Sequence, residues 1–121
     1  MAEPQIDPAG IGALLQLDPI IHAPARLSVL TYLSVVERSD FVFLKNMTGL
    51  TWGNLSTHLS KLEEAGYVEI EKQFKGKKPQ TMIRLTDKGR AAFQAYREDM
   101  QRVLDDLPGE RAASEDQDQE H

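Results

Sequence analysis

The sequence contains no cysteine. Disulfides, thiolate metal sites and thiol redox switches are therefore excluded. No apolar run approaches the roughly 20 residues that a membrane-spanning helix needs. The first residues also lack the basic-then-apolar pattern of a secretory leader, so the expected location is the cytoplasm. The three histidines, His22, His58 and His121, are scattered and lack a matching carboxylate pattern. No metal site is expected from them. There is no nucleophile–base pair, no set of paired carboxylates and no phosphate-binding glycine loop. The chain reads as a non-enzyme without a cofactor, and it shows no internal repeat.

What is present fits one domain in 121 residues. The closing stretch "LPGERAASEDQDQEH" has one apolar residue larger than alanine, too little buried surface to offset the entropy of ordering it. Residues 108–121 are expected to form a disordered acidic tail, residues 1–8 a flexible N-terminus, and residues 9–107 the folded domain. The net charge is −5. Most of the imbalance lies at the end: from Asp105 onward there are seven acidic residues and one basic one. Residues 1–104 hold thirteen basic and twelve acidic residues, so the folded part can still meet a polyanion.

"AGIGALLQL" reads as a short apolar helix, and Asp18-Pro19 as the start of a turn. Pro24 restarts the pattern. Leu27, Leu30, Leu33 and Val36, with Val29 beside them, predict a broad buried helical face. Ser39 or Asp40 can cap a third helix, "FVFLKNM", which Gly49 ends. Thr51 caps a fourth, running to about Ala65, with Leu55, Leu59 and Leu62 on one side. Gly66 stops it. "YVEIEKQF" and "QTMIRLT" alternate as two antiparallel strands, joined by "KGKKP" in a loop longer than two residues. Thr86-Asp87 opens a long final helix that Pro108-Gly109 ends. The fold class is thus mainly α with a β-hairpin (α+β): a winged helix-turn-helix with a long C-terminal dimerisation helix.

The turn "TGLT" joins the third and fourth helices, the arrangement that projects the second helix of such a motif into a DNA major groove. That use requires outward residues small enough for close approach and polar enough to bond bases and phosphates. Gly53, Asn54, Ser56 and Thr57 meet both demands, next to Thr51 at the helix start. Asn can pair bidentately with adenine, and Ser and Thr are permissive. Lys75, Lys77 and Lys78 at the hairpin tip would neutralise phosphates along the backbone or in the minor groove without reading sequence. Small polar residues also suit any solvated helix, and lysine and glycine any turn. It is their combination that favours DNA. Trp52 reads as an edge-of-core residue. His58 borders the leucine stripe, where a phosphate contact and a structural hydrogen bond both remain open.

In the last helix Phe93 and Tyr96 are expected to pack on their own domain. Met100, Val103, Leu104 and Leu107 reach beyond a core of this size. With Leu14 and Leu15 they are better explained by a second subunit. A two-fold dimer would present its two polar-faced helices roughly 34 Å apart.

"LSTHLSKLEEAGYVEIEK…GKKPQTMIRLTDKGRAAF" resembles the winged-helix transcriptional regulators of the MarR and ArsR type. "DPIIHAPARLSVLTYL" looks like the small MarR-like winged-helix DNA-binding domain family in particular. The similarity covers about residues 17–105. It implies a homodimeric transcriptional regulator on double-stranded DNA with a palindromic operator. By matching position it implies recognition contacts from Gly53, Asn54, Thr57, His58 and Lys61, and wing contacts from Lys75, Lys77 and Lys78. An effector ligand of unknown identity is compatible with it. The chain departs from the ArsR-type metal sensors in lacking cysteine. It departs from larger MarR proteins in reading Glu71-Lys72-Gln73 where they often carry Asp-x-Arg. The alternative function is a winged helix used for protein–protein interaction without DNA.

Overall fold

Proline suits the first turn of a helix, because its φ is already helical and its missing N–H has no partner there in any case. The first two helices, α1 (Pro8–Gln16) and α2 (Pro24–Val36), both begin on one. The computed structural model describes residues 8–107. Apart from Pro8, which already belongs to α1, the expected flexible N-terminus lies outside that range, as does the acidic tail. The remaining elements are β1 (Arg38–Asp40), α3 (Phe41–Thr48), α4 (Trp52–Glu64), β2 (Val68–Lys75), β3 (Lys78–Leu85) and α5 (Asp87–Asp106).

The chain forms two compact units, Asp18–Tyr96 and, within the described range, residues 8–17 with 97–107. The larger unit is built on Ile21, Leu30, Leu33, Leu44, Leu55, Leu59, Leu62, Val68 and Ile83, all fully buried. The leucine stripe of α4 faces inward as its spacing predicts. On α2 the buried face differs from the expected one. Val29, Leu30 and Leu33 are inside, but Val36 is 37% exposed and Arg26 is buried at 9% exposure. Val36 ends the helix, where the chain turns away through Glu37 at φ 69°.

The sheet has three strands in the order β1-β3-β2, all antiparallel. β1 has no apolar residue to announce it, and it is a strand through its pairing with β3, Arg38 opposite Arg84 and Asp40 opposite Met82. The hairpin loop is shorter than expected. Lys75 pairs with Lys78, so the connection is the two residues Gly76-Lys77. Gly76 has φ 68° and Lys77 does not have positive φ, the pattern of a type II′ turn, whose twist matches that of the flanking strands.

α5 starts where the threonine of "LTDKG" does two things. Thr86 Oγ1 accepts from the Gly89 N–H at 2.9 Å and donates to the Gly66 carbonyl at 2.6 Å. Gly89 then lies against the strand entry so closely that a Cβ on it would stand 2.1 Å from the Tyr67 carbonyl oxygen. Phe93 and Tyr96 are buried as expected. The Tyr96 hydroxyl and His22 Nδ1 are 2.8 Å apart. Tyr67 donates to Asp18, and burial followed by that contact pushes its pKa up to about 12.

In the smaller unit Ala13, Leu17 and Val103 are buried. Ile11, Leu14, Leu15, Leu104 and Leu107 stay largely open, Leu15 at 82% exposure, and Met100 is half-buried. Val103, expected at a subunit contact, thus already lies inside its own chain. The other five expected contact residues still present apolar surface.

Candidate nucleic-acid interface

Two local devices set the angle between α3 and α4. Gly49 ends α3 in the left-handed region at φ 73°, and Thr48 Oγ1 donates to the Leu44 carbonyl at 2.9 Å. Two residues on, Thr51 caps α4: its Oγ1 accepts from the Asn54 N–H at 3.1 Å. The Thr51 hydroxyl oxygen is therefore committed to the helix, and its proton stays available to an outside acceptor.

With the leucines inward, Gly53, Asn54, Ser56, Thr57 and Lys61 are all exposed on one helix. Gly53 has no structural need to be glycine. A Cβ built there meets nothing within 4 Å and its φ is ordinary, yet glycine lowers helix stability. An unforced glycine in the first turn of an exposed helix leaves room for something outside the chain to come close to the backbone.

His58 behaves differently from its neighbours. It is half-buried, and its Nδ1 lies 3.1 Å from Nη1 of Arg26. A guanidinium only donates, so Nδ1 accepts and the ring proton is on Nε2. Burial first, and the charges of Arg26 and Lys61 after it, push the His58 pKa below the ordinary histidine value. Arg26 donates as well to the carbonyls of Ile20 and Pro19, so one buried guanidinium ties the turn before α2 to α4. Of the two roles open for His58, the structural hydrogen bond is formed. Arg26 went unrecognised because a charged residue on a helix normally reads as solvent-facing.

Trp52 is 56% exposed and stacks on Phe41, with ring centroids 5.3 Å apart and planes 5° from parallel. Lys45 Nζ sits 5.1 Å from the indole centroid. Lys75, Lys77 and Lys78 are exposed at the hairpin tip. A single cleft of about 490 Å³ joins the two regions, lined by Phe41, Asn46 and Trp52 on the helical side and by Lys75, Lys78 and Gln80 on the hairpin. The start of α4 and the lysine hairpin therefore border one concavity. Phe41, Lys45 and Asn46 were missed by sequence reasoning. The one available signal was the aromatic pair in "DFVF", of which Phe41 is half-buried and Phe43 exposed. Among the described residues no group of three His, Asp or Glu side chains could hold a metal ion, and no helix is long and apolar enough to cross a membrane.

Residues 25–104 match the family described as winged helix DNA-binding domain. The uncharacterized protein MJ0432 of Methanocaldococcus jannaschii is 42% identical over 77 residues, 64% of this chain and 84% of that protein. The structure of the transcriptional regulator homologue protein from Pyrococcus horikoshii OT3 superposes with a TM-score of 0.75 at 25% identity, covering 82% of this chain and 97% of that one. Overoxidized AbfR bound to DNA shares the fold, with a TM-score of 0.61 at 24% identity, over 92% of this chain and 77% of AbfR.

Proposed function

This chain belongs to the winged helix DNA-binding domain family, and from that premise we propose that it is a MarR-like, sequence-specific transcriptional regulator acting as a homodimer on a palindromic operator. α4 enters the major groove with Gly53, Asn54, Ser56 and Thr57 leading, and Lys61 follows on the same exposed face. The wing lysines Lys75, Lys77 and Lys78 neutralise the adjacent backbone or reach its minor groove. The protein works by binding, in the cytoplasm, without a cofactor.

The observation that carries this reading is Gly53, a glycine that the protein's own packing does not require, next in sequence to Trp52, which shares a cleft with the lysine-tipped hairpin. A DNA backbone or base edge is the partner that uses both features. That AbfR, with the same fold, is held on DNA supports it. The open apolar side chains of Leu14, Leu15, Leu104 and Leu107 support the homodimer. His58 serves by holding α4 in place through Arg26.

Selecting bound fragments from random and genomic DNA tests the reading. The expected product is a palindrome with half-site centres roughly 34 Å apart. No retained fragment at low salt would overturn it and favour the protein-interaction alternative.

A further inference from the structure

We propose that the cleft between the start of α4 and the wing binds a single nucleotide, with the base against Trp52 and the phosphate on Lys75 and Lys78. The cleft measures about 490 Å³, within the range of about 300–1,000 Å³ in which pockets take small ligands. Its apolar part holds three aromatic side chains, Phe41, Phe43 and Trp52, with Val42 and Pro79. Trp52 stacks on Phe41, yet keeps more than half of its surface open. That leaves an indole surface on which another π-system gains stacking energy.

The opposite wall is charged. Lys75 and Lys78 are cross-strand partners on the last rung of the hairpin, and both line the cleft. Lys45, outside the cleft lining, holds its Nζ over the indole ring, 5.1 Å from the centroid. Asp40 is the acidic residue in the lining, and its Oδ1 is taken by the Phe43 N–H at 2.7 Å as the α3 cap. The balance favours an anion.

The lining also carries two side-chain amides. The Asn46 side chain bonds to no other described residue, and Gln80 uses its carbonyl oxygen toward Gln73, which leaves its NH₂ group to donate. Amides of this kind read base edges, since they donate and accept side by side. A purely apolar acid would leave them unused, and inorganic phosphate would leave the indole unused. A nucleotide engages all three parts.

The same chemistry comes from two sources, a free mononucleotide or an unpaired base in a DNA strand. A duplex on the proposed DNA face would need the same two lysines, so duplex and nucleotide exclude each other. That competition rests on the proposed function, whereas nucleotide binding by the free protein does not.

The full chain, labelled with ¹⁵N, is titrated with AMP, dTMP, adenosine, ribose 5-phosphate and pentathymidylate. AMP and dTMP are expected to shift the Trp52 indole N–H and the Gln80 and Thr81 amides, and to quench tryptophan emission, which reports Trp52 alone because the chain has one tryptophan. The exposed pair Lys75→Gln/Lys78→Gln should weaken AMP about tenfold and leave adenosine unchanged. Pentathymidylate binding at least about tenfold tighter than dTMP assigns the cleft to an unpaired strand, and equal affinities assign it to the free nucleotide. Unshifted Trp52 resonances up to about 10 mM mononucleotide would overturn the proposal, as would ribose 5-phosphate acting as well as AMP. Retardation of duplex DNA, measured in parallel, stands or falls independently.

Discussion

The Arg26 guanidinium donates to Nδ1 of His58 across 3.1 Å, joining a buried charge on α2 to the half-buried inner edge of α4. The bond requires a neutral imidazole. Protonating His58 would place an N–H against a cation, with Lys61 on α4 as the second positive neighbour. The folded protein therefore holds His58 at a lowered pKa, and the unfolded chain binds the proton more readily. The stability this contributes is fully present above the ordinary histidine value and is lost as pH falls through the lowered folded value. The urea midpoint of the native protein should drop from about pH 6.5 downward. In His58→Gln this part of the drop should be absent. Identical pH profiles for the two proteins would count against the bond.

Arg26→Leu keeps bulk but leaves the Pro19 and Ile20 carbonyls without their side-chain donor. A loss of about 2–3 kcal/mol in denaturant unfolding is expected.

Gly53→Ala should separate stability from function. Alanine meets no clash there and is the better helix former, so the free protein should gain about 0.5–1 kcal/mol in thermal or urea unfolding. DNA affinity should fall in the same variant, because the added methyl occupies the approach. A stabilised variant with native affinity would remove Gly53 from the interface.

Gly89→Ala should fail in the opposite manner. Its Cβ would lie 2.1 Å from the Tyr67 carbonyl oxygen, a backbone atom that cannot swing aside. About 3 kcal/mol of destabilisation is expected by chemical denaturation, at the upper end for overpacking. The change touches no proposed DNA contact, so any affinity loss should track the folded fraction.

Lys77→Ala/Lys78→Ala should weaken all duplexes alike and reduce the slope of log affinity against log salt by about 1.8. Unchanged slope and affinity would place the wing off the DNA.

The sequence carried those parts of the fold that local rules decide. The leucine spacing of α4, the Thr51 cap, the stop at Gly49 and the alternation of Val68, Ile83 and Leu85 each depend on residues a few positions apart, and each is found where expected. What escaped depends on distant partners. β1 is polar throughout, and its pairing with β3 lies more than forty residues downstream. Arg26 is buried because carbonyls from the preceding turn and a histidine from α4 converge on it. The expected loop "KGKKP" includes Pro79. In the structure Pro79 lies within β3, opposite Phe74. The polar face of α4 was legible, but the cleft joining the start of α4 to the hairpin needs a tertiary fold to exist.

The rung that closes the hairpin sets Lys75 directly across from Lys78, with Lys77 in the turn between them. Like charges on opposite positions of an antiparallel pair repel, so the free wing carries a load that any bound polyanion relieves. On the proposed DNA, added salt therefore acts twice: it screens the attraction between wing and phosphate, and it quiets the repulsion within the wing itself. In that proposed complex the strain between the paired lysines and the occupancy of the wing are one coupled quantity.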